Sequence, residues 1–66
     1  MDIKQLKYLI ALEQTHNFGQ AAARCHVTQP TLSMRLRGLE EELGLPLVRR
    51  GQRFEGFTAE GERILA

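Results

Sequence analysis

The chain has one cysteine, Cys25, so no internal disulfide can brace it. No apolar run approaches the ~20 residues that span a bilayer, and no basic stretch followed by an apolar one resembles a signal peptide. His16 and His26 stand far apart, and apart from Cys25 beside His26 nothing near them has the spacing of a metal site. Neither a nucleophile–base pair nor a glycine-rich phosphate loop is readable. These absences argue against a disulfide-stapled secreted fold, a membrane segment, a metal centre and catalysis. The expectation is a cytoplasmic, non-enzymatic domain with no cofactor and no membrane partner.

What is present is ordinary globular material. Sixty-six residues, 42% apolar and 26% charged, make one small domain whose core is marginal by size. Its net charge of +1 conceals an uneven distribution. Residues 1–54 carry +3 and residues 55–66 carry −2, with five of the nine cations between positions 35 and 53. A local basic surface suits a polyanion. A mixed, solvated surface fits the same composition, and charge alone does not separate the two.

Hydrophobic spacing supplies the order of elements. Asp2 and Gln5 form a capping-box pair ahead of a first helix over about 3–15, with Ile3, Leu6, Leu9 and Ile10 as its apolar stripe and Leu12 nearer the flank. Tyr8 reads as a partly buried aromatic on that helix. Asn17 and Gln20 repeat the pattern for a second helix over about 18–25, whose face is Phe18, Ala21, Ala22 and Cys25. Cys25 reads as a small core residue rather than a redox sensor.

After a short turn at His26-Val27-Thr28, Thr28 caps a third helix and Pro30 fits its first turn. Leu32, Leu36, Leu39 and Leu43 mark its buried side, Gly44 ends it, and Pro46 prevents it from resuming. Leu47 to Arg50 and Phe54 to Thr58 read as two short strands around a Gly51-Gln52-Arg53 turn, with Gly56 weakening the ladder. Thr58 then caps a fourth helix over 59–66.

Two short helices joined by a tight turn, the second with a polar start, form a helix-turn-helix. The far side of the third helix is small and polar at first and cationic later, a shape that enters the major groove. Gln29 offers both amide groups to an adenine edge, Ser33 reaches a base or a phosphate, and Arg35 and Arg37 reach the sugar-phosphate walls. The leucine stripe itself carries no functional weight, since any amphipathic helix has one. A winged-helix module used for protein association would instead need an apolar patch on this helix, where the sequence offers only Met34.

An ordered set of residues from position 6 to 61 resembles the N-terminal DNA-binding domain of the LysR-type bacterial transcriptional regulators. It comprises Leu6 and Leu9, Asn17-Phe18, Ala21-Ala22, Val27 through Ser33, Leu39-Glu40, Leu43-Gly44, Leu47, Arg50, Thr58 and Gly61. The resemblance implies a mainly α winged helix-turn-helix: a three-helix core, a short β-hairpin wing and the start of a linker helix. Residues 1–58 would form the DNA-binding domain, with the helix-turn-helix over about 18–37. Residues 59–66 would begin the linker through which two subunits pair by Ile64 and Leu65. The effector-sensing C-terminal domain of such regulators is absent from these 66 residues.

The same resemblance puts Gln29, Pro30 and Ser33, with Thr31 among them, at DNA bases and Arg53 at the wing tip entering the minor groove, and Met34 is expected beside them at a base. It puts Arg50 at the DNA backbone, where Asn17, Thr28, Arg35 and Arg37 are expected as well. It further implies homodimers or tetramers on promoter DNA containing an inverted repeat, a small-molecule effector bound by the missing domain, and transcription regulation as the outcome. Met34 departs from the family's polar or cationic reader, so it packs on a thymine methyl or is simply exposed. Val48 replaces the usual wing phenylalanine, and Phe54-Glu55-Gly56-Phe57 replaces a more regular strand, which leaves the hairpin's register open.

Overall fold

Each helix begins where a side chain can accept its orphan N–H groups. In a computed structural model describing residues 2–66, α1 (Ile3–Thr15) is opened by Asp2, whose carboxylate accepts from the Lys4 N–H while Gln5 accepts from the Asp2 N–H, both at 3.0 Å. Asn17 Oδ1 accepts from the Gln20 N–H to start α2 (Phe18–Arg24). Thr28 Oγ1 accepts from the Thr31 N–H to start α3 (Gln29–Leu43), with Pro30 in the first turn. After β1 (Val48–Arg50) and β2 (Phe54–Phe57), Thr58 does the same for α4 (Ala59–Leu65). These starts match the sequence reading. Cys25 and Ala66 act as C-caps rather than helical residues.

The helix ends use backbone that most residues avoid. Gly44 closes α3 with φ 74°, and the Leu45 N–H reaches back to the Glu40 carbonyl. The turn between α2 and α3 has the same geometry but no glycine. His26 takes φ 58°, its N–H meets the Ala23 carbonyl, and the Val27 N–H meets the Ala22 carbonyl, a Schellman closure. His16 ends α1 with φ 54°.

The core forms where α1, α2 and α3 meet. Leu9, Leu12, Leu32, Leu36, Leu39 and Leu47 are its largest fully buried side chains, each contributing about 1.5–3 kcal/mol by burial. Ala21 and Ala22 are buried beside them, letting α2 approach closely. Two sequence expectations need correction. The buried side of α1 is Tyr8, Leu9, Ala11 and Leu12, while Ile3 (74% exposed) and Ile10 (39%) face solvent. On α3 the stripe stops at Leu39, since Leu43, next to the terminating Gly44, is exposed.

β1 and β2 pair antiparallel, Val48 opposite Phe57 and Arg50 opposite Phe54, with an irregularity between them. Gly56, at φ 115°, supplies the backbone conformation that this slip needs. Val48 is buried, and Phe54 rests on Phe18 and Phe57 with ring centroids 5.9 and 5.1 Å away. At the root of the hairpin the Thr58 N–H donates to the Leu47 carbonyl, and the Thr58 hydroxyl donates to the Pro46 carbonyl at 2.7 Å. Gly61 is the buried residue of α4, and a Cβ on it would collide with the Leu47 carbonyl oxygen. Among the described residues, no helix is long and apolar enough to cross a membrane.

Candidate nucleic-acid interface

The first half of α3 divides cleanly. Leu32 and Leu36 are buried, whereas Gln29, Pro30, Met34, Arg35 and Arg37 are exposed and Thr31 and Ser33 are half-buried. Gln29, Ser33 and Arg37 follow at steps of four along one side, and that side faces the wing. Between them and the hairpin lies a cleft of about 370 Å³, also lined by Asn17, Arg50 and Arg53. Its lining includes three arginines and no carboxylate. The carboxylates of Glu13, Glu55 and Glu62 line a separate cavity, beside β2 and the end of α4. Three of the nine cations therefore meet on the surface between α3 and the wing, while Lys4, Lys7 and Arg24 line another cavity beside α1.

Sequence-predicted residues from both categories thus meet in one place: Gln29, Ser33 and Arg53 with Asn17, Arg37 and Arg50. Pro30 and Met34 border an adjoining depression that shares Ser33 and Arg37. Met34 is 63% exposed, the one large apolar side chain displayed on the first half of α3. Five predicted residues, Thr28, Thr31, Arg35, Ile64 and Leu65, lie outside both hollows. Thr28 donates its hydroxyl proton to Thr31 Oγ1 at 2.9 Å, so both side chains also serve the helix start. Arg35 lies on the side nearer α1, where its carbonyl accepts from Gln5 Nε2. Ile64 and Leu65 are half-buried against this chain's own core.

Glu40, which the sequence offers only as part of the Leu39-Glu40 pair of the resemblance, organises the wing. Its Oε2 accepts from the Leu47 N–H at 2.7 Å and the Val48 N–H at 3.1 Å, and its Oε1 accepts from Arg50 Nη1 at 2.7 Å. Burial opposes its ionisation. The Leu47 N–H, the Arg50 guanidinium and the Val48 N–H outweigh that cost and hold its carboxyl below the usual carboxylate range. A signal for this was available: Glu40 stands four residues after Leu36 and next to Leu39, close to the buried stripe, where a carboxylate needs donors.

Arg50 is 21% exposed, and its Nε and Nη2 are buried without an acceptor among the described residues. His16 lines the cleft and stacks on Phe54 with centroids 5.5 Å apart. Burial pushes the half-buried Cys25 thiol up, against a lesser opposing pull from Lys7, so it is not an activated thiolate. Among the described residues no group of three or more His, Cys, Asp or Glu side chains is placed to hold a metal ion.

Comparison with known proteins agrees with this geometry. The chain is 45% identical over 65 residues to the HTH-type transcriptional regulator AlsR of Bacillus subtilis, covering 98% of this chain and 22% of that protein. It is 49% identical over 61 residues to the DNA-binding transcriptional dual regulator OxyR of Escherichia coli, covering 92% and 20% respectively. It thus spans about a fifth of the length of these relatives. Among solved structures, the CbnR DNA-binding domain in complex with DNA superposes with a TM-score of 0.91 at 40% identity, covering 98% of this chain and 75% of that one. The family model for bacterial regulatory helix-turn-helix proteins of the lysR family matches residues 3–62. The chain belongs to the LysR family of bacterial helix-turn-helix regulators.

Proposed function

We propose that this chain binds double-stranded DNA in a sequence-specific manner as the DNA-binding domain of a transcriptional regulator. The observation that carries the reading is the carboxylate-free cleft, lined by three arginines, that joins the exposed side of α3 to the wing. In this reading α3 lies in the major groove with Gln29, Pro30, Thr31, Ser33 and Met34 toward base edges. Arg53 enters the minor groove, where a narrow A-tract has the strongest negative potential. Asn17, Thr28, Arg35, Arg37 and Arg50 face the sugar-phosphate backbone. Arg50 lines the cleft with part of its side chain exposed, which supports its part, since a guanidinium suits a phosphate.

Residues 1–58 serve as the reading domain and 59–66 as the start of the linker. The whole protein acts in the bacterial cytoplasm as a homodimer or tetramer on an inverted repeat, paired through the linker helix, with the effector held by its other domain. Two-fold symmetry then places the two α3 helices about one DNA turn, or a multiple of it, apart. Gel-shift titration of Gln29→Ala against single-base operator variants tests the reading. Discrimination should fall by about 1–3 kcal/mol at one base position. Equal weakening on every sequence would overturn the base-reading assignment.

A further inference from the structure

We propose that Glu40 is a positioning residue for DNA reading, acting through Arg50 to set the wing's place opposite α3. The inference rests on the DNA-binding reading above and adds to it a residue that touches no DNA. Gln29, Ser33, Arg37 and Glu40 follow at steps of four, four and three along α3, so the side that lines the cleft continues directly into the carboxylate. From there Glu40 grips β1 at both ends. It holds the Leu47 and Val48 N–H groups at the strand's start and the Arg50 guanidinium at its finish. Arg50 stands opposite Phe54, and the Gly51 N–H donates to the Arg53 carbonyl across the intervening turn. The path from the reading helix to the wing-tip arginine is therefore a short series of hydrogen bonds with one carboxylate at its origin.

The pairing also fixes what Arg50 can do. Nη1 is committed to Glu40 at 2.7 Å, which locks the rotation of the guanidinium plane, and Nε and Nη2 are buried, so the arginine stands in one place beside the cleft. A guanidinium held by a carboxylate keeps one position and orientation, and this preorganisation lowers the ordering cost of an ionic contact made from the cleft. β2 is tied down separately, by Phe54 against His16 and Phe18. Loss of Glu40 therefore releases the arginine-bearing strand and its turn while the aromatic anchor remains.

The test is a double-mutant cycle on DNA affinity with the intact protein. Glu40→Gln keeps an acceptor for the two backbone N–H groups and removes the charge that holds Arg50. It should weaken operator binding by about tenfold. The loss should fall on the flanking A/T positions facing the wing, with discrimination at the Gln29 position retained. In an Arg50→Ala background the same change should cost less than about twofold, because its route is already cut. An equal loss in both backgrounds, or an even loss across all base positions, overturns the proposal. If Glu40→Gln is not fully folded by circular dichroism, Glu40→Asp is read in the same cycle; it keeps the charge but cannot reach all three donors. Failure of the DNA reading itself has a different signature: Gln29→Ala then alters no base preference while the Glu40 variants behave as the native protein.

Discussion

The helix-turn-helix and the wing face each other across one cleft and are held by different physics. The helices are fixed by apolar burial, with Leu9, Leu12, Leu32, Leu36 and Leu39 fully enclosed and two alanines permitting close approach. β1 buries Val48, but its position against α3 is set by one carboxylate with three donors. Burial is non-directional and forgiving of small shifts. Hydrogen bonds to a buried charge are directional and fail when one partner is lost. The cleft thus has one wall secured by bulk and one secured by geometry.

The contrast is broken most forcefully at the helical wall. Leu36→Ala leaves a cavity where α3 meets the core and should cost about 2–5 kcal/mol, enough to unfold much of a domain this small. Urea denaturation followed by far-ultraviolet circular dichroism measures it, and a loss below 1 kcal/mol would show the helices are not held as described. Next comes Gly61→Ala, where the new methyl meets the Leu47 carbonyl. The expected cost is about 1–3 kcal/mol, read from the same denaturation curves.

Acid sharpens the comparison instead of breaking it. Because the folded pKa of Glu40 is depressed, its stabilising effect is fully present above the unfolded value of about 4.3 and is lost as pH falls through the lower folded value. The amide shifts of Leu47 and Val48 should titrate in that acid range while the Leu36 methyl signals still report a folded core. Movement of both sets together would deny the wing a separate attachment. The smallest effect concerns the two left-handed histidines. His26→Gly should raise stability by up to about 1 kcal/mol by relieving its positive φ. His16→Gly should gain less, because His16 also stacks on Phe54. Paired melting curves distinguish them.

This difference in physics also explains what the sequence discloses. Helix starts were legible because Asp2, Asn17, Thr28 and Thr58 cap through local bonds that need no knowledge of the fold. The inward side of α3 was legible because three of its leucines recur every turn and all bury. The phase of α1 was misread because Ile3 and Ile10 have the right chemistry on the wrong side, and only the position of α2 and α3 decides which side is inside. Leu43 kept the period after the core had ended. In the cleft, Gln29, Ser33, Arg37 and Arg53 were readable from the resemblance and the polar start of α3. For Glu40 the need for donors was readable from its place beside the leucine stripe but the donors were not, because Leu47, Val48 and Arg50 lie seven to ten positions away across a chain reversal at Gly44.

The cleft draws its lining from residues 16–19, 29, 33, 37 and 50–54, stretches that meet only after the three-helix core has assembled. Recognition is consequently a collective property of the tertiary structure, and no excised peptide inherits a share of it. A population of half-melted molecules contains half as many competent readers, each at full strength, rather than a uniform population of feeble ones.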